Sequence, residues 1–168
     1  MQHPLDPLDK KLVSLFARDA RMPMAEAASR AGVARPTAAS RIKSLLERGV
    51  LRFAALVDAS RADDLTIALV GLKLDQYRLE ESVSSIATLD EVSWAAVVTG
   101  RYDIIAQVVT DRGMPGLYDF LNRSLLEVGG IASSEMFVVM KATGKWSSLP
   151  PGLLREWTGE TTEPHRRA

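Results

Sequence analysis

Five side chains in one stretch of this 168-residue chain share a chemical theme: Thr37, Ser40, Arg41, Ser44 and Arg48. Their spacings of three and four place them on one face of a helix. Small hydroxyls permit close approach to a nucleic acid, and arginine can donate two bonds to guanine or pair with phosphate. Arg35, Lys43 and Arg52 lie close by in sequence and would add phosphate contacts. The chemistry expected of this set is recognition of double-stranded DNA. No comparable set points to catalysis. The chain has no cysteine and only two histidines, His3 and His165. It shows no Ser/His/Asp set, no paired catalytic carboxylates and no phosphate-cradling glycine loop. No enzyme activity, metal site or cofactor is therefore expected.

The flanking residues supply the elements that would hold this face. Leu8, Leu12, Leu15 and Phe16 form the stripe of a helix over about 8–17, with Asp6 as N-cap and Pro7 in the first turn. A second helix starts near Met24, its inner face Met24, Ala27, Ala28 and Ala31, and Gly32 ends it. After the turn Val33-Ala34, a third helix runs from about Arg35 to Arg48 and stops at Gly49; Ala38, Ile42, Leu45 and Leu46 make its buried stripe. Helix, short helix, glycine-containing turn and third helix is the helix-turn-helix arrangement. Val50–Val57 reads as a short hairpin or strand, a wing. The competing reading is a three-helix bundle whose third helix merely shows its polar face to water.

Beyond a polar linker, Asp58–Thr66, the periodicity changes. Ile67–Leu74 is strand-like and apolar on both alternations, and Leu79, Val83, Ile86 and Ala87 give a helical stripe. Val92–Thr99, the turn Gly100-Arg101 and Tyr102–Val109 read as a hairpin. A helix opens at Gly113 with Leu117, Phe120, Leu121, Leu125 and Val128 inward, and a last strand spans roughly Ser134–Ala142. The order β-α-β-β-α-β is the split, ferredoxin-like sandwich. The fold class is thus α+β: an N-terminal winged helix-turn-helix plus a C-terminal ferredoxin-like domain. The expected organisation is 1–57 for DNA, 58–66 as linker, 67–143 for ligand binding and oligomerisation, and 144–168 as a partly disordered tail.

Two helices cover only one face of such a sheet, yet this strand is apolar on both: Ala68, Val70, Leu72 and Leu74 on one side, Ile67 and Leu69 on the other. An exposed apolar sheet face is an association surface, so a homodimer packed sheet to sheet is expected. Tolerated surface, or cover by the C-terminal tail, is the alternative.

Charge divides along the same line. The chain carries 21 Lys+Arg and 21 Asp+Glu, but residues 1–57 hold ten basic residues against five acidic, a net of +5, and the rest is −5. That asymmetry points to a polyanionic partner for the first part alone. No apolar run approaches the roughly 20 residues of a membrane span, and the start MQHPLDPLDKK lacks a signal peptide's apolar stretch. A cytoplasmic protein with no membrane partner is expected.

Four blocks in order carry a resemblance: LDPLDKKLVSLFARDAR (5–21), SRIKSLLERGVL (40–51), VSWAAVVTGRYDIIAQV (92–108) and LYDFLNRSLLEVGGIASSEMFVVMK (117–141). Over about 5–143 the chain resembles the Lrp/AsnC (leucine-responsive/asparagine regulator) family of transcription factors. The resemblance implies a winged helix-turn-helix followed by an amino-acid-sensing domain. It also implies dimers that often assemble into octamers, with a small-molecule effector, an amino acid or relative, bound where dimers meet. By that likeness the turn Gly100, Arg101, Tyr102 and Asp103 lies in the effector site, with Thr99, Ser133 and Ser134 as neighbours. A glycine turn leaves backbone N–H groups for a carboxylate, and Asp103 could hold an α-ammonium; a turn-capping aspartate is the alternative. One departure stands out. The family's usual Leu-Ser before the third helix is Val33-Ala34 here, with Pro36 just inside. Loss of such a cap costs about 1 kcal/mol, and Pro36 offsets part of it by fixing φ. The implied function is a DNA-binding regulator responsive to an amino acid; a ligand-binding and oligomerisation module that has lost DNA binding is the alternative.

Overall fold

Asp6 starts the first helix as its sequence position requires. In the computed structural model, which describes residues 4–58, 61–62, 64–75, 78–143, 150–152 and 155, its Oδ1 accepts the Asp9 N–H at 2.8 Å, and Pro7 occupies the first turn. Helix α1 (Pro7–Arg18) buries Leu12 and Phe16, α2 (Met24–Ala31) buries its three alanines, and α3 (Arg35–Glu47) buries Ala38, Ile42 and Leu45. The alanine face lets α2 sit close to its neighbours, and one core unites the three helices with Met22.

Two glycines stop α2 and α3 by the same device. Gly32 (φ 78°) and Gly49 (φ 67°) adopt a left-handed conformation that side chains disfavour. The Val33 N–H then reaches the Ala28 carbonyl, and the Val50 N–H reaches that of Leu45. Each is a Schellman closure, which satisfies the last carbonyls of the helix.

The expected wing is not formed. Among the described residues, Val50–Leu56 contains no strand, and Val57 makes only an isolated bridge. A hairpin needs residues that reverse the chain, and Arg52-Phe53-Ala54-Ala55 contains no Gly, Asn, Asp or Pro. Instead Leu51 packs on the helical core, and the Phe53 ring meets Phe16 edge-on at 5.5 Å. Leu46, expected in the buried stripe, is 40% exposed, because it lies one residue round the helix from Leu45.

The chain divides into two compact units, Met1–Ala54 and Ala55–Ala168. The second has the order β1 (Thr66–Leu74), α4 (Leu79–Ala87), β2 (Val92–Val97), β3 (Ile104–Thr110), α5 (Gly113–Asp119), a π-helical turn (Phe120–Ser124), α6 (Leu125–Val128) and β4 (Ile131–Val138). The four strands form one antiparallel sheet ordered β2-β3-β1-β4, which is the ferredoxin-like arrangement. Ala68, Val70 and Leu72 of β1 and Ile104, Ala106 and Val108 of β3 face the helices and pack with Ile86, Leu117, Phe120 and Leu125. Ala87, expected to be inward, is exposed.

The last strand begins and ends earlier than its apolar alternation implied. Pairing with β1 starts at Leu74↔Ile131 and finishes at Ala68↔Val138, with a register shift at Lys73/Leu74. Register is set by the partner strand, so Ser133 and Ser134 join the ladder while Met140 lies outside it, 91% exposed. The expected disorder of the tail at 144–149, 153–154 and 156–168, and His3, lie outside the described residues. Where the tail is described, the Gly152 N–H donates to the Asp90 carbonyl at 3.0 Å, and Arg155 pairs with the Asp90 carboxylate.

Candidate nucleic-acid interface and ligand-binding turn

Helix α3 presents the expected polar face. Arg35, Thr37, Ser40, Arg41, Lys43 and Arg48 are exposed on it, Ser44 is half-buried, and Arg52 is exposed just beyond. The helix begins at Ala34, which makes no side-chain cap, with Pro36 in the first turn. Lys43 lies 3.7 Å from Glu47 one turn on. Such an exposed pair contributes little to stability and yields readily to a stronger anion.

Arg41 differs from the other cations. Its Nη1 donates to Asp6 Oδ2 at 2.6 Å and to Asp9 Oδ1 at 3.4 Å. Asp6 is the N-cap of α1 and Asp9 lies in its first turn. The Asp6 carboxyl is held below its ordinary value, first by the Asp9 N–H it accepts, against an opposing effect of burial, and then by Arg41. Asp9 is buried. Nearby, Lys11 Nζ donates to the Ala31 carbonyl at 3.1 Å, placing a positive charge at the C-terminal end of α2, where the helix dipole favours it. Sequence reading had assigned Asp6 only its capping role and missed the bond to Arg41; paired acids three residues apart, close to a helix start, were the available signal.

At the turn between β2 and β3, Gly100 has φ 118° and, with Thr99 and Arg101, is exposed. Asp103 is engaged within the protein. Its Oδ2 accepts the Leu74 N–H at 3.0 Å, its Oδ1 lies 3.3 Å from Lys73 Nζ, and its own N–H donates to the Leu72 carbonyl at 2.9 Å. The Leu74 N–H is the main cause holding this carboxyl below its ordinary value; burial opposes it and Lys73 adds to it. The carboxylate therefore clamps the turn to β1.

Tyr102 lies across the sheet face away from the helices. Its ring covers Gly71, where a Cβ would come within 2.6 Å of the ring. Its hydroxyl donates to Glu135, which raises the phenol above its ordinary pKa, with burial assisting. Arg101 stands 3.4 Å from Glu135 and its guanidinium lies 5.6 Å from the Tyr102 ring centre. Strand register puts Ser133 beside Lys73 and Glu135 beside Gly71, so this end of the sheet carries both cations and anions. Alternation along β4 sends Ser134, paired with Leu72, to the opposite face from Ser133. The structure thus groups Arg101, Tyr102, Asp103 and Ser133 and separates Ser134 from them. Lys73, Gly71 and Glu135 were missed. Lys73 is the lone charge in the strand TIALVGLKL, and a glycine inside a strand marks close approach, so both signals were present.

Comparison with known proteins gives two domain matches. Residues 5–46 match the AsnC-type helix-turn-helix domain, and residues 67–146 match the Lrp/AsnC ligand binding domain. An uncharacterized HTH-type transcriptional regulator of Pyrococcus furiosus is 32% identical over 143 residues, covering 84% of this chain and 95% of that protein. Among solved structures, AsnC of E. coli superimposes with a TM-score of 0.62 at 26% identity, over 83% of this chain and 95% of that one. A Neisseria meningitidis transcriptional regulator, solved as an L-Met complex, gives a TM-score of 0.68 at 22% identity, over 90% of this chain and 99% of that one.

Proposed function

Given that the chain belongs to the Lrp/AsnC family of transcriptional regulators, we propose that it reads DNA with α3 and adjusts its assembly or DNA affinity to an amino acid or related small molecule. The observation that carries this reading is the exposed face of hydroxyls and arginines on α3, in the part of the chain with a net charge of +5. Arg35, Lys43, Arg48 and Arg52 would contact phosphate, while Thr37, Ser40, Arg41 and Ser44 would lie toward base edges or backbone. The effector would occupy the polar end of the sheet. There Lys73 and Arg101 suit a carboxylate, Glu135 suits an ammonium, and the Gly100 turn offers backbone N–H groups. Asp103 would shape this site through its clamp on β1, with Thr99, Tyr102 and Ser133 around it; Ser134, on the opposite face, would take no part. The L-Met complex of the Neisseria regulator supports an amino acid as the class of effector. A homodimer through the apolar sheet face, assembling further toward an octamer, and a cytoplasmic location complete the proposal.

The test is equilibrium binding to the DNA upstream of the protein's own coding region, against a scrambled duplex of equal length, over a salt series. Preference for the native duplex and a steep fall in affinity with salt are expected. Absence of binding to either duplex at low salt would overturn the DNA reading. It would favour the ligand-binding module, a reading to which the uncapped start of α3 lends some weight.

A further inference from the structure

An exposed arginine on a DNA-facing helix ordinarily samples many rotamers, and fixing it on binding costs side-chain entropy. Arg41 is fixed beforehand. Its side chain is 45% exposed, yet Nη1 is held between Asp6, 40% exposed, and Asp9, 5% exposed. The holders are themselves fixed. Asp6 is committed through its other oxygen to the Asp9 N–H, and Asp9 lies in the core of the first unit. Among the described residues only Nη1 of Arg41 donates a hydrogen bond, so the Nη2–Nε edge of the guanidinium stays available to donate two bonds to a base edge. Arg41 lies four residues from Thr37 and three from Ser44, on the same face.

Two carboxylates, one exposed and one buried, beside an arginine that faces DNA are electrostatically unfavourable. They weaken attraction to any phosphate backbone, whatever its sequence, and so act against non-specific binding. Their compensation is geometric: a planar guanidinium in one orientation distinguishes the O6 and N7 pattern of guanine from other base edges. We propose that Asp6 and Asp9 are positioning residues for DNA recognition, orienting Arg41 so that the sequence preference of α3 depends on two acids in α1. This rests on the DNA-binding reading above.

The experiment uses the full chain and a duplex enriched by the wild-type protein from a random-sequence pool, with a scrambled duplex of equal length as reference. Asp6→Asn is the main variant, because asparagine caps a helix as well as aspartate does and α1 is therefore retained; thermal unfolding verifies this. The variant should bind the scrambled duplex at least as well as wild type, while its preference for the enriched duplex falls about tenfold. Arg41→Lys keeps the charge without the planar fork. It should lose preference similarly with the salt slope retained, and the double variant should lose little more than either single one. An unchanged preference in Asp6→Asn, or losses that multiply in the double variant, would overturn the proposal and leave the contact a purely structural one. If wild type itself enriches no sequence, the DNA reading fails first and the positioning role falls with it.

Discussion

At the scale of single residues, roles in this protein are set by which partner a side chain meets far along the chain. Asp103 was read as either a ligand group or a turn cap, and its bonds to Leu74 and Lys73 make it a clamp between turn and strand. Arg41 meets acids more than thirty residues away, a pairing that no local pattern reveals. Gly71 shows how one missing side chain shapes a site, since the Tyr102 ring lies where its Cβ would be. Gly71→Ala should displace that ring and destabilise the second unit by about 1–3 kcal/mol, measured by denaturant unfolding. The same variant offers a spectroscopic check. Tyr102 is one of three tyrosines, and its bond to Glu135 raises its pKa. That contact favours the native state at neutral pH and is lost as pH rises through the raised value. In Gly71→Ala the Tyr102 titration should move down toward the ordinary range; an unmoved titration would show that the ring tolerates the methyl group.

At the scale of elements, periodicity made most of the fold legible and pairing decided the rest. The three N-terminal helices follow from their apolar stripes and from Gly32 and Gly49, all local signals. The β-α-β-β-α-β order was legible for the same reason. The failures arose where a second segment sets the outcome: β4 is displaced because β1 fixes its register, and Val50–Val57 forms no hairpin because nothing within it turns the chain. The candidate site was half legible. Helix spacing found the face of α3, whereas the brace from α1 and the cluster around Lys73 needed the tertiary structure. One local signal can be tested directly. Ala34 begins α3 without a side-chain cap, so Ala34→Ser should stabilise the protein by about 1 kcal/mol, read as a rise in melting temperature. No change would mean that Pro36 already supplies the start of the helix.

At the scale of the whole molecule, two units with separate cores divide the chemistry. One has a surplus of positive charge; in the other, the helices α4, α5 and α6 pack on one face of the sheet. No helix among the described residues is long and apolar enough to cross a membrane. On the sheet face away from these helices Trp94 and Phe137 are 41% and 47% exposed, while Ile67, Gln107 and Val109 are buried, and Leu69 pairs in register with both Gln107 and Phe137. If that face joins two copies, Phe137→Lys should shift the mass measured by light scattering from dimer to monomer. Because Phe137 is half exposed in the single chain, the monomer should still unfold cooperatively. An unchanged mass would place the dimer contact elsewhere.

The π-helical turn at Phe120–Ser124 decides which way the end of this helix faces. The buried side chains Leu117, Phe120 and Leu125 step first by three positions and then by five. At about 100° per residue an α-helix would carry position 125 away from the sheet; the wider turn absorbs the surplus and brings it back. A turn wider than that of the α-helix thus keeps Leu125 in the core it shares with Leu117 and Phe120.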